Sequence, residues 1–328
     1  MSIRLTLAVE AQGFVVPEEG RVLVMQATAA HDLSALPRDR VLVVQPLKPD
    51  HDGWAAQGFA VAAEIPADER FAAAVVFATR AKAECRQRVA EAAAVTDGQL
   101  LLDGAKTEGI DSLLKELKKR TTPSAAISKA HGKAFWIEAG LDLADWLPGE
   151  RAPVEGFVTA PGVFSADGVD PASRMLAAAL PEKLGARVAD LGAGWGYLSA
   201  AAFERAGVKS LDLVEANHVA LICARQNVTD ERASFHWADA RDWGAKSSID
   251  TVIMNPPFHS GRSAEPSLGQ AFITNASRIL VGSGRLYLVA NRHLPYEATL
   301  DGAFAKVTEV AGDRSFKVLL AERPKRAR

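Results

Sequence analysis

The chain is poor in cysteine, and it has no long apolar run and no strong net charge. Its two cysteines, Cys85 and Cys223, are too few for a disulfide framework and lack metal-ligand spacing. No apolar stretch approaches the roughly 20 residues of a membrane-spanning helix. The first residues lack the basic region, apolar core and small-residue cleavage site of a signal peptide. We therefore predict a soluble cytoplasmic protein with reduced thiols, no bound metal and no membrane partner.

The charge distribution argues against a bulk nucleic-acid binder. The formal net charge is −2 over 328 residues. Residues 1–150 hold 17 Lys and Arg against 21 Asp and Glu, and residues 151–328 hold 21 against 19. Neither half is strongly basic, so any contact with RNA must come from local patches. Candidates are Lys115, Lys118, Lys119, Arg120 and the tail 323–328, for which a solvated helix face and a frayed end are equally good explanations.

What the chain does have is a glycine-rich turn between an apolar strand and a helix. The apolar run from Val188 to Leu191 stops at Gly192, Gly194 and Gly196, and an alanine-rich helical segment follows. Glycine permits a sharp turn and lets a ligand approach the backbone closely. The following helix then points its N-terminal N–H groups at whatever lies over the turn. By itself the pattern is ambiguous, since a tight strand-to-helix turn without a ligand gives the same sequence.

A second turn lies about sixty residues further on, after two more strand–helix units. The strand Thr251 to Met254 ends in the sequence Asn255-Pro256-Pro257-Phe258. Prolines also end strands for structural reasons, because they lack an N–H. In an open α/β sheet, however, both turns lie at carboxyl ends of strands, where ligands bind. The two turns together are a more specific indication of a ligand site than either is separately.

These motifs resemble those of class I S-adenosylmethionine-dependent methyltransferases that act on an amino nitrogen. Two further stretches, PGVFS at 161–165 and VANRHLPY at 289–296, resemble the bacterial 16S ribosomal RNA guanine-N2 methyltransferases with a tandem, degenerate N-terminal domain. The resemblance runs from about Thr159 to Pro324 and is faint before that. It implies S-adenosylmethionine as cofactor and ribosomal RNA or the small ribosomal subunit as partner. We expect a monomer.

The residue pattern and the resemblance together define an expected site. Glu215 ends the second strand about twenty residues beyond the glycine turn and suits the two ribose hydroxyls of an adenosyl group, although a solvated strand-end carboxylate is the alternative. Asp239 occupies the place where the family has an acid near the adenine amino group. The expected cofactor-binding residues are Phe164, Asp170, Asp190, Gly192, Gly194, Gly196, Glu215, Asp239 and Asn255. The expected catalytic residues are Asn255, Pro256 and Phe258.

The catalytic residues suit a planar amine whose lone pair is delocalised. The side-chain carbonyl of Asn255 and the backbone carbonyl of Pro256 can each accept one N–H of the amine, and proline holds its carbonyl in place. Phe258 offers a face for base stacking, worth ~1–3 kcal/mol. His259 and His293 are candidate proton acceptors, but a polar or stacking role is favoured for both.

The first half of the chain repeats the layout of the second half without its motifs. It has strand-like runs at residues 40–45 and 75–78 and a helical pattern at 82–94, while residues 1 to about 30 suggest one or two short strands. The run at 40–45 has no glycine turn, and Phe77-Ala78-Thr79-Arg80 stands where Asn-Pro-Pro-Phe is expected. We infer a duplicated domain without cofactor binding.

The predicted fold class is α/β, with two tandem Rossmann-like class I methyltransferase domains. The N-terminal domain is degenerate, and the C-terminal one has a mostly parallel seven-stranded sheet that ends in a hairpin. The predicted divisions are residues 1–140, which the resemblance makes a non-catalytic helper for folding and RNA binding, a linker at 141–158, and a catalytic domain at 159–328.

The predicted function is transfer of a methyl group from S-adenosylmethionine to the N2 amine of a guanine in ribosomal RNA, most naturally 16S rRNA. One alternative is a methyltransferase for protein glutamine amides, which uses the same Asn-Pro-Pro arrangement. Another is a non-catalytic RNA-binding assembly protein with a methyltransferase fold. The intact glycine turn, Glu215, Asp239 and NPPF argue against the latter.

Overall fold

The computed structural model describes residues 3–10, 13–149, 152–257, 259–260, 263–264 and 266–325. The chain divides into two compact units, Met1–Arg151 and Ala152–Arg328. The elements of the first unit are α1 (Ile3–Glu10), β1 (Val22–Met25), β2 (Val41–Val44), α2 (Lys48–Ala56), β3 (Ala60–Ala62), β4 (Ala73–Phe77), α3 (Lys82–Val95), β5 (Leu100–Ala105), α4 (Ile110–Leu117), β6 (Ile127–Lys129) and β7 (Gly132–Ile137), with 3-10 helices at Arg38–Arg40, Lys106–Glu108 and Ala144–Trp146.

The second unit begins with a helix and then alternates strands and helices. Its elements are α5 (Pro171–Ala179), β8 (Arg187–Leu191), α6 (Tyr197–Phe203), β9 (Ser210–Glu215), α7 (His218–Asn227), β10 (Ala233–Trp237), β11 (Ile249–Met254), β12 (His259–Ser260), β13 (Ser263–Ala264), α8 (Pro266–Ile279), β14 (Leu280–Asn291), α9 (Glu297–Ala303), β15 (Phe304–Gly312) and β16 (Phe316–Pro324).

The two units contain seven-stranded sheets with the same strand order. The first sheet has the order β3-β2-β1-β4-β5-β7-β6, and the second has β10-β9-β8-β11-β14-β16-β15. In each sheet the first five strands of that order are parallel to one another. The sixth strand runs antiparallel to them, and the seventh pairs antiparallel with the sixth. The central strands are nearly continuous apolar runs, as expected for strands covered by helices on both faces. The predicted parallel sheet with a closing hairpin is confirmed in the second unit.

Helices cover both faces of the second sheet and fix the edge at which its strands end. On one face, Phe272 and Ile273 of α8 pack in a cluster with Val252 of β11. On the other face, Leu176 of α5 and Leu198 of α6 join a second cluster that contains residues of β8 and β9. The carboxyl ends of β8, β9, β11 and β14 consequently lie along one edge, where their loops can share a ligand.

Several predicted elements differ from the structure in the first unit. One or two short strands were expected within residues 1 to about 30; one of them is β1, but residues 3–10 form helix α1. The central strand is Val22–Met25, so the run at 41–44 corresponds to the second strand of the fold rather than the first. Both strands are apolar runs of four residues, so the sequence alone does not tell which of them lies at the centre of the sheet. Helix α2 was not predicted, and neither was α9 in the second unit.

Part of the predicted linker belongs to the core of the first unit. Leu143 and Trp146 are buried there, and the guanidinium groups of Arg86 and Arg120 lie 5.6 and 5.2 Å from the Trp146 ring centroid.

Within the part of the chain that the structure describes, no helix has both the length and the apolar character needed to cross a membrane.

Candidate active site

The glycine turn follows β8 at the carboxyl edge of the second sheet. Gly192, Gly194 and Gly196 have φ values of +79°, +56° and +93°, a region in which side chains with a Cβ are strained. Gly192 N–H donates to the carbonyl of Val214 on β9 at 2.8 Å, which folds the turn over the neighbouring strand. A Cβ on Gly194 would meet no atom within 4 Å, so this position faces open space.

The Asn255 side chain is held in one orientation by two partners from the start of α5. Its Nδ2 donates to Asp170 Oδ2 and to Ser173 Oγ, each at 2.9 Å. An ionised carboxylate only accepts hydrogen bonds, so the amide nitrogen must face Asp170. Among the described residues, no donor bonds to Oδ1 of Asn255. The side-chain carbonyl is therefore oriented and available.

Asp170 joins this arrangement to the local structure of its own helix. It is the N-cap residue of α5, and its Oδ2 also accepts the N–H of Ser173 at 2.8 Å. Pro171 follows at the first helical position, where a missing N–H costs nothing. A sequence-local helix cap thus fixes a carboxylate that in turn orients a side chain 85 residues away.

One cleft brings together residues from three separate parts of the second unit. Five of the predicted cofactor-binding residues line the cleft: Phe164, Asp170, Gly192, Gly194 and Asn255. Phe164 is 56% exposed, so its large apolar side chain adds a contact surface to the lining of the cleft.

Glu215 lies behind the glycine turn and is bonded to it. Its Oε2 accepts the N–H of Gly194 at 2.8 Å, and its Oε1 accepts the N–H of Asn217 at 2.7 Å. Burial raises the pKa of this carboxyl, and the backbone N–H groups oppose that shift. Each carboxylate oxygen has a second lone pair, which leaves two acceptor positions for a pair of vicinal hydroxyls.

Asp190 is fully buried at the end of β8. Ser199 Oγ donates to its Oδ2 at 2.7 Å, whereas Oδ1 has no hydrogen-bond partner among the described residues. Burial raises the pKa of Asp190 to about 7; the hydroxyl of Ser199 lowers it and the charge of Glu215 raises it further. A buried carboxyl with an unused oxygen is unusual in a purely structural position.

The structure does not bring every predicted residue to the cleft. Both carboxylate oxygens of Asp239 are engaged by the guanidinium of Arg241, and Asp239 is not among the lining residues. Gly196 starts α6 and packs against Ala224 and Val228 rather than facing the cleft. Phe258 lies outside the described residues. Asp190, Glu215 and Pro256 do not line the cleft either. The roles predicted for all of these residues stay predictions, and so do those of the residues in the cleft.

Three residues of the site were missed at the sequence level. Ser173 was placed in a helix but given no role, because its hydroxyl contacts Asn255, which is 82 residues away in the sequence. Trp195 Nε1 donates to the carbonyl of Phe164 at 2.9 Å and ties two walls of the cleft together. Asn227 donates to the carbonyls of Val158 and Trp195, each at 2.8 Å. No sequence signal identifies these last two contacts.

The cleft and the two carboxyl groups behind its glycine turn fit S-adenosylmethionine. Glu215 retains acceptor positions suited to a ribose diol, and Gly194 leaves room for a ligand above the backbone. Phe164 offers an exposed apolar surface, and the unpaired Oδ1 of Asp190 lies behind the same turn. Among the described residues, no group of three His, Cys, Asp or Glu side chains could hold a metal ion.

Fold and site together define the class of protein, a class I methyltransferase. The family model called Methyltransferase small domain matches residues 155–320, about half of the chain. In overall structure the chain is similar to the T. thermophilus 16S rRNA N2 methyltransferase RsmC, solved in complex with AdoMet and guanosine. The TM-score is 0.78 over 97% of this chain and 91% of that one, at 23% identity. This likeness confirms the predicted fold of two tandem methyltransferase domains.

Curated relatives define the family more closely. Ribosomal RNA small subunit methyltransferase C of Shewanella pealeana is 32% identical over 270 residues, which covers 78% of each chain. The protein of the same name from Hahella chejuensis is 28% identical over 326 residues, covering 93% of this chain and 94% of the relative. The chain belongs to the ribosomal RNA small subunit methyltransferase C family. The predicted enzyme class and its cofactor, S-adenosylmethionine, are thereby confirmed.

Proposed function

We propose that the protein methylates the exocyclic N2 amine of a guanine in 16S ribosomal RNA. The names of its relatives indicate ribosomal RNA of the small subunit as the substrate. The guanosine bound to the T. thermophilus enzyme indicates guanine as the base. The observation that carries the proposal is the orientation of Asn255. Because Asp170 and Ser173 occupy its amide nitrogen, its carbonyl is left to accept an N–H from a planar amine.

The chemistry asks for alignment rather than for a strong base. When bound, S-adenosylmethionine supplies an electrophilic methyl group on a positively charged sulfur. Asn255 Oδ1 and the carbonyl of Pro256 each accept one N–H of the guanine amine, which lets its nitrogen pyramidalise toward that methyl group. The resulting positive charge on the amine is stabilised by both carbonyls, and the extra proton leaves to water. Proximity and fixed dipoles are the main sources of acceleration.

Proline and aromatic residues complete the proposed pocket for the base. Pro256 is buried immediately after β11, and its ring restricts the backbone so that the carbonyl keeps its direction. Phe258 remains our predicted stacking surface. Asp239 remains our predicted contact to adenine, with the qualification that it must bind while paired to Arg241.

The first unit and the assembly state belong to the proposal as well. We propose that residues of the first unit assist folding and contact RNA, and that the enzyme works as a monomer in the cytoplasm, where its ribosomal substrate is. Methylation of a protein glutamine amide uses similar acceptor geometry, but the family membership favours RNA. A non-catalytic assembly role does not require an oriented Asn255 or an open glycine turn.

The test is methylation by the full chain with isotope-labelled S-adenosylmethionine. Naked 16S rRNA, assembled small subunits and a glutamine-containing peptide serve as parallel substrates, and mass mapping of nucleosides locates the label. We expect N2-methylguanosine at one site in the RNA and no label in the peptide. Label on the peptide alone, or on a pyrimidine, would overturn the proposal.

A further inference from the structure

The loop between β14 and α9, residues 292–296, lies at the same edge of the sheet as the Asn255 turn. Strands β11 and β14 are parallel neighbours with Met254 opposite Leu288, so both chains leave the sheet in the same direction. Tyr296 packs so closely on α8 that a Cβ on Gly269 would lie 2.0 Å from its hydroxyl oxygen. The loop is therefore fixed to the helix that follows the Asn255 turn.

A buried ammonium group holds this loop from beneath. Lys317 on β16 is 3% exposed, and its Nζ donates to the carbonyls of Arg292 and Leu294 at 3.1 and 2.9 Å. It also pairs with the carboxylate of Glu297. A buried lysine is costly unless it is paired and hydrogen-bonded, and here two of its donors are used by the loop and the third by the first residue of α9.

The remaining contacts leave a small exposed tip. Leu294 and Tyr296 are buried, and Arg292 is bonded to Glu309 and to the carbonyl of Asp313. His293 and Pro295 are exposed between them. A loop with so many anchors has a single shape, in which Arg292 is exposed but held by its partners and the side chains of His293 and Pro295 face solvent.

We propose that Lys317 is a positioning residue that holds residues 292–296 in the shape in which His293 contacts the RNA strand beside the target guanine. This inference rests on the proposed function for the identity of the substrate. Lys317 itself touches neither RNA nor cofactor. It acts through the loop, because its ammonium replaces water at two carbonyls that a free loop would leave solvated.

The first measurement is independent of activity. In Lys317→Met, the hydrogen-bonded amides of Arg292, Leu294 and Tyr296 should exchange at least about tenfold faster than in the wild type, because their local opening costs less free energy. The matched control is Lys306→Met, whose ammonium is exposed and pairs with Glu322 on the neighbouring strand. Unchanged exchange in Lys317→Met overturns the positioning role. The wild type failing to methylate RNA would instead overturn the proposed function and leave this measurement valid.

The second measurement separates substrate contact from general stability. We expect kcat/KM for RNA to fall by roughly ten- to a hundredfold in Lys317→Met, with S-adenosylmethionine affinity within about twofold of wild type, because a small misplacement at a site has effects of this size. Lys317→Arg, which keeps the charge and its donors, should recover part of the loss. His293→Ala should reproduce the RNA defect without a change in Tm. This variant tests the contact with RNA even if Lys317→Met folds poorly. Parallel loss of cofactor affinity, or wild-type kinetics in His293→Ala, overturns the inference.

Discussion

The two sheets have one strand order but different residues at the edge where ligands bind. They can be aligned by a shared hydrogen bond: Gln26 N–H donates to Val44 O at 3.2 Å in the first, and Gly192 N–H donates to Val214 O at 2.8 Å in the second. Both donors have positive φ, +61° and +79°. The first unit has the same turn geometry, although Gln26 stands there in place of a glycine.

This alignment pairs each site residue with a residue of different chemistry. Asp190 corresponds to Val24, Gly194 to Thr28, Glu215 to Gln45 and Asn255 to Phe77. In the first unit these positions are tied up internally. Gln45 Nε2 donates to the carbonyl of Ala27 at 2.8 Å, and Phe77 packs on His31 with ring centroids 4.1 Å apart. Apolar residues are thus enough to form the strand order and the core. The ligand edge also needs polar groups that keep hydrogen-bonding positions for a ligand.

The largest expected effect concerns Asp190, whose counterpart in the first sheet is Val24. Below about pH 3 the carboxyl is protonated in both the folded and the unfolded chain and has no effect. As pH rises the unfolded chain releases the proton first, so the free energy of unfolding falls until the folded pKa of about 7 is passed. Asp190→Asn should therefore raise the free energy of unfolding by up to about 4 kcal/mol at pH 8 and by roughly 1.5 kcal/mol at pH 5.

Urea denaturation of the full chain at pH 5, 6.5 and 8 tests this dependence. The control is Asp250→Asn, because the Arg187 guanidinium lowers the pKa of Asp250. That variant should lose stability at neutral pH, the opposite sign. A stability difference for Asp190→Asn that does not change with pH would show that its carboxyl is ionised in the folded protein.

The next effect concerns Asn255, in place of which the first sheet has Phe77. Asn255→Ala removes one oriented acceptor, so single-turnover methylation of RNA should slow by roughly two to three powers of ten, or ~2.7–4 kcal/mol. Cofactor affinity should change by less than about tenfold, ~1.4 kcal/mol. Thr79→Ala, in the corresponding turn of the first unit, should change neither quantity. A wild-type rate in Asn255→Ala would reduce the NPPF turn to a strand terminator.

Glu215 should matter to the cofactor and Gln45 only to stability. Glu215→Ala removes a carboxylate that accepts the N–H of Gly194, and we expect S-adenosylmethionine binding to weaken by ~1–3 kcal/mol. Gln45→Ala removes a buried hydrogen bond in the equivalent place of the first unit and should leave binding unchanged. Calorimetric titration of both variants distinguishes the two units. Equal losses of affinity would mean that the first unit also contributes to cofactor binding.

The smallest expected effect separates backbone strain from ligand access. Gly194 and Gly58 have positive φ, +56° and +84°, and a Cβ on either meets no atom within 4 Å. Alanine at each should cost ~1–2 kcal/mol of stability, since it forces a side chain into the left-handed region. Only Gly194→Ala should also weaken S-adenosylmethionine binding, by about tenfold. Matching affinities in the two variants would exclude Gly194 from the ligand surface.

Local patterns were enough to find most of the second unit and the two turns of its site. The glycine turn and the prolines after Met254 act through the dihedral angles of their own residues, so neighbours in sequence carry the information. The first unit was harder, because β1 and β2 are apolar runs of the same four-residue length and nothing local tells which of them is central. Helix α1 at 3–10 was not predicted, since a short apolar–polar segment suits helix and strand alike.

The sequence by itself determined the alternation of strands and helices, the class of fold and the residue types at the ligand edge. Only the tertiary structure decided what those residues do to one another. Three such contacts join distant parts of the chain. Asp170 and Ser173 orient the amide of Asn255, Glu215 accepts a hydrogen bond from the glycine turn, and Lys317 holds the loop at 292–296. Such contacts follow from strand order and helix packing, which no local dihedral preference encodes.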